Sequence, residues 1–182
     1  MDWRPLPGGN IVYACHYYDP MMFTHQGASW DPSSPWSKVA GVPFPTVVGD
    51  PRVVRMAESE EDPAAANELR QLSQQAWNAN VILAQFQTFA AWSAANNAPI
   101  IINEFGVLKW KAPRADRIAW ISAICVAAEA CGFGWAHWDY ITAFGLLDDQ
   151  GAFDGEVIRA LLGRQPGFRL SRPLPLRGGV PQ

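Results

Sequence analysis

Pro99-Ile100-Ile101-Ile102-Asn103-Glu104-Phe105-Gly106 is the stretch of this sequence that decides the fold. Three consecutive β-branched residues after a proline predict a short strand that is buried on both faces. The run ends at Glu104, an ionisable side chain followed closely by a glycine. In parallel α/β folds the carboxyl end of a strand often carries catalytic side chains, because the strand fixes the group and the next loop leaves it open. Glu104 is therefore a candidate catalytic carboxylate; alternatively it caps the next helix or pairs with an arginine.

Helix-like and strand-like segments alternate on both sides of this stretch. Residues 10–18 have the β-branched and aromatic composition of a strand, and the apolar stripe over residues 64–96 predicts one long helix. Downstream, the pattern predicts a helix over about 114–131, a second buried strand over 132–140 and a last helix near 153–162. This alternation predicts an α/β fold in which about three parallel strands are joined by helical crossovers.

Residues 20–62 and 164–182 lack this periodicity. The first segment is rich in proline, glycine, serine and tryptophan, and a loop of this length in a compact domain usually works as a lid or a binding surface. Trp30 and Trp36 favour a binding surface, and Pro45–Val54 could hold a short strand or an extended segment. The second segment combines four arginines and several prolines with no acidic residue, which predicts a basic, disordered tail.

Length and composition limit the possible functions. At 182 residues and 49% hydrophobic, the chain can bury one sizeable core, which predicts one domain over residues 1–163 followed by the tail. The formal net charge of −3 gives no electrostatic footprint for nucleic acid, and no run of about 20 apolar residues suggests a membrane span. Cys15, Cys125 and Cys131 lack metal-ligand spacing, so they do not suggest a zinc site. No metal or organic cofactor is implied elsewhere in the sequence. The nine tryptophans favour flat binding platforms.

Several segments, in this order, together resemble one known family. The segments are His16-Tyr17-Tyr18, Phe23–Ala28 with Trp30, Ile102–Gly106 and Gly134–Tyr140. Together they resemble the C-terminal part of a glycoside hydrolase family 5 cellulase, about strands six to eight of a retaining (β/α)8 barrel. The resemblance covers about residues 3 to 163. It implies a partial, half-type TIM barrel without the N-terminal strands, and an activity of endo-β-1,4-glucanase type on β-1,4-linked glucan. Family members are usually secreted, but Met1–Pro5 has neither the charged nor the apolar region of a signal peptide, so the localisation stays open.

The resemblance assigns catalytic roles to three residues. Glu104 matches the nucleophile that attacks the anomeric carbon in a retaining mechanism. Tyr18 matches the tyrosine whose hydroxyl bonds this nucleophile and orients it, and His16 matches a histidine that lines the same subsite. Period two places His16 and Tyr18 on the same face of the first strand.

Tryptophans are the candidates for substrate binding. Trp138 matches the family's eighth-strand tryptophan, whose indole stacks beneath the sugar ring, while Trp30 and Trp36 lie in the long loop segment. Trp135 is expected to face the opposite way and to pack. The exposed tryptophans also define an alternative function, a catalytically silent module that at most binds β-glycan.

The resemblance leaves the proton donor unassigned. A retaining glycosidase needs a second carboxylate about 5 to 5.5 Å from the first, and the family's Asn-Glu-Pro segment is absent from this sequence. Asp19, Asp139 and Asp148 lie near predicted strand ends and are candidates, although no pattern selects one of them. Three strands of a closed barrel expose two sheet edges, so we expect a homo-oligomer that covers them.

Overall fold

One parallel sheet organises the chain. The computed structural model describes residues 4–163, and the segment predicted as a basic tail lies outside the described residues. The strands are β1 (Tyr13–Tyr17), β2 (Ile100–Phe105) and β3 (Gly134–Trp135), hydrogen-bonded in the order β1-β2-β3. Because the spatial order follows the chain order and all pairs are parallel, each connection crosses back through a helix. The predicted α/β fold with about three β/α units is confirmed.

Helices cover one face of this sheet. The described α-helices are α1 (Met21–Thr24), α2 (Pro51–Ser59), α3 (Pro63–Ser73), α4 (Ala79–Asn96), α5 (Arg114–Ala130) and α6 (Gly155–Leu162), with a 3₁₀ turn at Pro35–Ser37. The crossover helices α4 and α5 pack against each other and against β2. Fully buried Phe86, Phe105 and Trp120 lie in the core between these helices and the sheet. Among residues 4–163, no helix is both long and apolar enough to cross a lipid bilayer.

The single long helix expected over residues 64–96 is wrong. The chain leaves helical geometry after Ser73 and re-enters it at Ala79, giving α3 and α4. Asn78 caps the new helix by accepting hydrogen bonds from the backbone N–H groups of Asn80 and Val81. Trp77 exchanges backbone hydrogen bonds of 2.7 and 3.2 Å with Thr46, so a distant segment replaces the helical partners at the break.

The short strand considered for Pro45–Val54 is also wrong. Only Thr46 takes part in an isolated bridge, and α2 begins at Pro51. Asp50 caps this helix through its side chain, and Pro51 suits the first helical turn because its missing N–H needs no partner there. The segment read as a long loop, residues 20–62, therefore contains two α-helices and a 3₁₀ turn.

A register shift between β1 and β2 determines which side chains face the core. Cys15 is opposite Ile102, but the next residue, His16, is opposite Glu104, so Asn103 is an extra residue on β2. Strict alternation from the buried Ile102 would turn Glu104 towards the helices. The extra residue shifts the alternation by one position. Glu104 therefore lies on the same face as His16, and Phe105 is buried in the core.

Candidate active site

Glu104 lies at the carboxyl end of β2 between two side chains from β1 and its extension. The Tyr18 hydroxyl donates a hydrogen bond of 2.8 Å to Glu104 Oε1, and His16 Nδ1 lies 3.4 Å from Oε2. The side chains of His16 and Glu104 are 56% and 24% exposed, so the carboxylate can be reached from solvent. The structure thus brings together all three residues to which the sequence assigned catalytic roles.

Tyr18 is held as a hydrogen-bond donor. Its pKa is raised by burial, then by its hydrogen bond to Glu104, and further by the charges of Glu104 and Asp139. The phenol therefore stays protonated throughout the ordinary pH range. Because a phenolic O–H in this position can only donate to an ionised carboxylate, Tyr18 fixes the orientation of Glu104.

Thr24 and His25 support Tyr18 from the following helix. The Thr24 hydroxyl donates to the backbone carbonyl of Tyr18 (2.6 Å), and the same oxygen lies 2.9 Å from His25 Nδ1. Since the single hydroxyl proton is used on Tyr18, His25 Nδ1 must donate to Thr24, which assigns the tautomer. Burial lowers the pKa of His25 to about 4, against the opposing effect of the Glu104 charge, so the ring is neutral at pH 7.

Five rings form a cluster next to Glu104, here called the aromatic cluster: Tyr18, His25, Trp30, Trp36 and Phe144. The His25 ring is central, with ring centroids 4.9 Å from Tyr18, 5.4 Å from Trp36, 5.5 Å from Phe144 and 6.0 Å from Trp30. Trp30 is 54% exposed, whereas Trp36 is partly buried against the core. Both loop tryptophans therefore contact His25, which in turn contacts Tyr18, the residue bonded to Glu104.

His25 and Phe144 are members of this cluster that the sequence interpretation did not select. Both lie in segments that follow a strand end, and His25 lies inside the Phe23–Ala28 segment that carried the family resemblance. The hydrophobic periodicity of the sequence does not identify either residue as part of a ring cluster. Both could have been found from their position just after a strand that already carried a candidate site residue.

Trp138 lies on the other side of Glu104, beyond β3. Its backbone N–H donates a 2.8 Å hydrogen bond to the Phe105 carbonyl, and its side chain is 49% exposed. A Cβ placed on Gly106 would lie 2.2 Å from the Trp138 carbonyl oxygen, so glycine is required for this close backbone approach. Trp135 packs against the core with its ring edge towards Phe105, on the face opposite the site as expected.

Arg117 joins the loops that follow β2 and β3. Its side chain is 3% exposed and donates to the carbonyl oxygens of Val107 (3.1 Å), Phe144 (2.9 Å) and Gly145 (2.9 Å). Burial lowers the pKa of Arg117 to about 10, which still leaves it charged at neutral pH. Since Phe144 belongs to the aromatic cluster, α5 thereby fixes one wall of the site.

Two of the three aspartates considered as proton donors accept hydrogen bonds elsewhere, and the third lines a separate cavity. The Asp139 carboxylate accepts from the N–H and the hydroxyl of Thr142, and Asp148 accepts from the backbone N–H groups of residues 150 and 152. Asp19 lines a separate cavity beside Trp36, and burial raises its pKa. Of the three, only the charge of Asp139 acts on Tyr18. Within residues 4–163, no group of three or more His, Cys, Asp or Glu side chains is placed to hold a metal ion.

Comparison with known proteins places this arrangement in a family. The family model of cellulase, glycosyl hydrolase family 5, matches residues 2–143. Endoglucanase 3 of Fibrobacter succinogenes is 31% identical over 158 residues, which are 83% of this chain and 23% of that protein. Endoglucanase H of Acetivibrio thermocellus is 27% identical over 168 residues, 87% of this chain and 14% of that protein. The chain thus spans less than a quarter of the length of either relative.

Solved structures give the same result. A hyperthermophilic endo-β-1,4-glucanase in complex with substrate superposes with a TM-score of 0.64 at 26% identity, over 88% of this chain and 42% of that chain. The cellulose synthase subunit Z of Clostridioides difficile gives a TM-score of 0.63 at 25% identity, over 87% and 43% of the two chains. Thermotoga maritima Cel5A in complex with mannotriose gives 0.62 at 25% identity, over 88% and 42%.

The regions that match are the ones that build the site. The family match spans most of the chain and includes β1, β2 and β3, whose carboxyl ends carry Tyr18, Glu104 and Trp138. Because a match of this extent shows the family, this protein belongs to the cellulase family, glycosyl hydrolase family 5.

Proposed function

We propose that this chain carries the nucleophile side of a retaining glycosidase site that acts on β-1,4-linked glucan. The observation that supports this most is the 2.8 Å hydrogen bond from Tyr18 to Glu104 at the end of a parallel strand. In a retaining mechanism an ionised carboxylate attacks the anomeric carbon, the bond to the leaving oxygen breaks, and water later hydrolyses the covalent glycosyl-enzyme. Glu104 is the proposed nucleophile. The relatives named as endoglucanases and the similar structure of an endo-β-1,4-glucanase support β-1,4-glucan as the substrate.

Tyr18 and His16 are the proposed partners of this nucleophile. Tyr18 donates to one carboxylate oxygen and leaves the other free of strong hydrogen bonds except for the His16 contact at 3.4 Å. A carboxylate held in this way keeps its second oxygen available to an anomeric carbon, and the Glu104 side chain is 24% exposed. We propose that Trp138 stacks on the sugar whose anomeric carbon reacts, and that Trp30 and Trp36 bind neighbouring sugars.

The proton donor must be a second carboxylate. Asp139 and Asp148 accept hydrogen bonds within their own turns and Asp19 lines a separate cavity, which favours a donor from outside residues 4–163. We propose a homo-oligomer, because the sheet face that carries Ala14, His16 and Ala136 is exposed and β1 and β3 are both edge strands. Light scattering coupled to size-exclusion chromatography tests this, and a clean monomer of about 20.1 kDa would contradict the homo-oligomer.

The nucleophile can be tested separately from the proton donor. A dinitrophenyl 2-deoxy-2-fluoro-β-cellobioside has a leaving group that departs without protonation, and its fluorine slows hydrolysis of the glycosyl-enzyme. We expect one equivalent of dinitrophenolate per site and a glycosyl mass increase on the peptide that contains Glu104. Glu104→Gln should abolish both signals. Glu58→Gln, which changes an exposed carboxylate on α2, is the matched control and should keep them.

The alternative function is a catalytically silent module that binds β-glycan. The exposed indoles of Trp30 and Trp138 favour it, since neither needs a catalytic carboxylate in order to stack on a sugar. Retained binding of cellohexaose without any dinitrophenolate release or mass increase would select this alternative. A mass increase on a residue other than Glu104 would contradict both functions.

A further inference from the structure

A cavity of about 430 Å³ lies between α3 and the segment that follows β1. Its volume is in the range of small-molecule sites in proteins. Asp19 and Trp36 line it from one side, and Glu68, Gln71 and Trp77 from the other. None of these residues except Trp36 belongs to the aromatic cluster, and none contacts Glu104. The cavity is therefore distinct from the place where the proposed chemistry occurs.

The polar side chains of this cavity have unused hydrogen-bonding capacity. In the part of the chain that the structure describes, the carboxylates of Asp19 and Glu68 and the side-chain amides of Gln71 and Gln75 make no hydrogen bond to protein. Together they offer several acceptors and two amide donor groups. A ligand that fits must therefore carry hydroxyl groups that can both donate and accept.

The remaining lining restricts the ligand further. Two indoles, Trp36 and Trp77, supply flat apolar surface, which suits the C–H face of a sugar ring. The lining contains two carboxylates and neither lysine nor arginine, so it disfavours phosphates and other anions. The combination of indoles, amides and carboxylates is the chemistry that recognises a neutral polyhydroxylated ring.

The walls of this cavity are preorganised. Trp77 is fixed by its two backbone hydrogen bonds to Thr46, and the break between α3 and α4 places it at the end of the groove. Leu72 and Met22 are buried beneath it as part of the core. The backbone and the buried floor of the cavity are thus already ordered before a ligand binds, which lowers the entropic cost.

Two residues that line the cavity are neighbours of residues at the proposed reaction site. Asp19 directly follows Tyr18, and Trp36 both lines the cavity and lies 5.4 Å from the His25 ring of the aromatic cluster. From these observations we propose that the cavity is a distal sugar subsite, which binds further units of the same β-glucan chain. This inference rests on the proposed function for the identity of the glycan, although binding itself requires no turnover.

The test compares two double variants of the full chain. Gln71→Ala with Gln75→Ala removes both amides from the cavity, whereas Asn67→Ala with Gln74→Ala removes two exposed amides of the same region that do not line it. Both are made in the Glu104→Gln background, so that cellohexaose is not consumed. Calorimetric titration should show a Kd for cellohexaose at least ten-fold higher for the cavity variant, and within two-fold of the parent for the control.

A second measurement locates the sugar directly. The side-chain amide NMR signals of Gln71 and Gln75, assigned from the two single variants, should shift when cellohexaose is added. If both amide signals stay unchanged and the cavity variant binds cellohexaose like its control, the distal subsite is refuted. If Trp138→Ala weakens binding in the same experiment, the proposed function stands. If the dinitrophenolate assay fails but the cavity variant still loses affinity, the proposed function is wrong and the sugar subsite stands.

Discussion

Replacing Arg117 with methionine should destabilise the protein strongly. The side chain is almost fully buried and donates to three backbone carbonyls, those of Val107, Phe144 and Gly145. Each buried carbonyl that loses its donor costs about 1 to 3 kcal/mol, while removal of the buried charge recovers part of this cost. We therefore expect a loss of about 3 to 5 kcal/mol, near the value for breaking a buried charged interaction. For a domain of this size, this corresponds to a Tm lower by about 6 to 20 °C.

Urea unfolding and thermal unfolding followed by circular dichroism measure this loss. Arg55→Met is the matched control, because Arg55 is exposed on α2 and its side chain makes no hydrogen bond within the described residues. Its effect should stay within about 0.5 kcal/mol. Arg117→Lys should fall close to Arg117→Met, since a single ammonium cannot reach three carbonyls as a guanidinium does. A loss below about 1 kcal/mol for Arg117→Met would refute the reasoning, because unpaired buried carbonyls cannot be that inexpensive.

Three further predictions concern the site and its surroundings. Tyr18→Phe removes the hydrogen bond to Glu104 and should slow dinitrophenolate release about 10- to 100-fold, while Tyr140→Phe should leave the rate unchanged; equal rates for both would contradict the role of Tyr18. Gly106→Ala should cost about 1 to 3 kcal/mol in urea unfolding because its Cβ meets the Trp138 carbonyl, whereas Gly134→Ala, with 3.7 Å to Ile101, should be nearly neutral. Burial lowers the pKa of both His25 and His137 to about 4, so the unfolded chain binds more protons between pH 6.5 and 4. The contribution of the two neutral histidines to the free energy of unfolding should be fully present above pH 6.5. Below pH 6.5 the free energy of unfolding should decrease by up to about 1.4 kcal/mol per pH unit for each histidine. His25→Gln should reduce this slope, and a urea midpoint that rises on acidification would contradict the prediction.

The first two strands were predictable because their composition is local, whereas the third, expected over residues 132–140, covers only Gly134–Trp135. The β-branched run before Glu104 and the aromatic run before Asp19 each predict a strand without reference to any partner. The break between α3 and α4 was not predictable in the same way. Trp77 leaves the helix because it pairs with Thr46, 31 residues away, and an apolar stripe that continues on both sides conceals such a break. Only Asn78, a good N-cap residue, signalled it locally.

The candidate site was predictable in part, and for a different reason. The position at the end of a buried strand selected Glu104, and the family resemblance gave it the nucleophile role and added Tyr18 and His16. The structure brings the three within hydrogen-bond or close contact distance. The pattern of the strand alone would have misplaced Glu104, since alternation from Ile102 points it towards the helices. The cavity beside Trp36 could not be predicted either, because its walls come from three segments whose spacing depends on the helix break.

The extra residue on β2 makes the site depend on how the strand pairs as well as on residue identity. If Asn103 entered the ladder opposite His16, Glu104 would move opposite Tyr17, the carboxylate would face the apolar layer and the Phe105 ring would face water. Deleting Asn103 would instead keep the present pairs, with Glu104 opposite His16 and Phe105 opposite Tyr17, because the extra residue has no partner on β1. The orientation of the carboxylate is thus a property of the backbone register, which substitution of single side chains on this strand would not reveal.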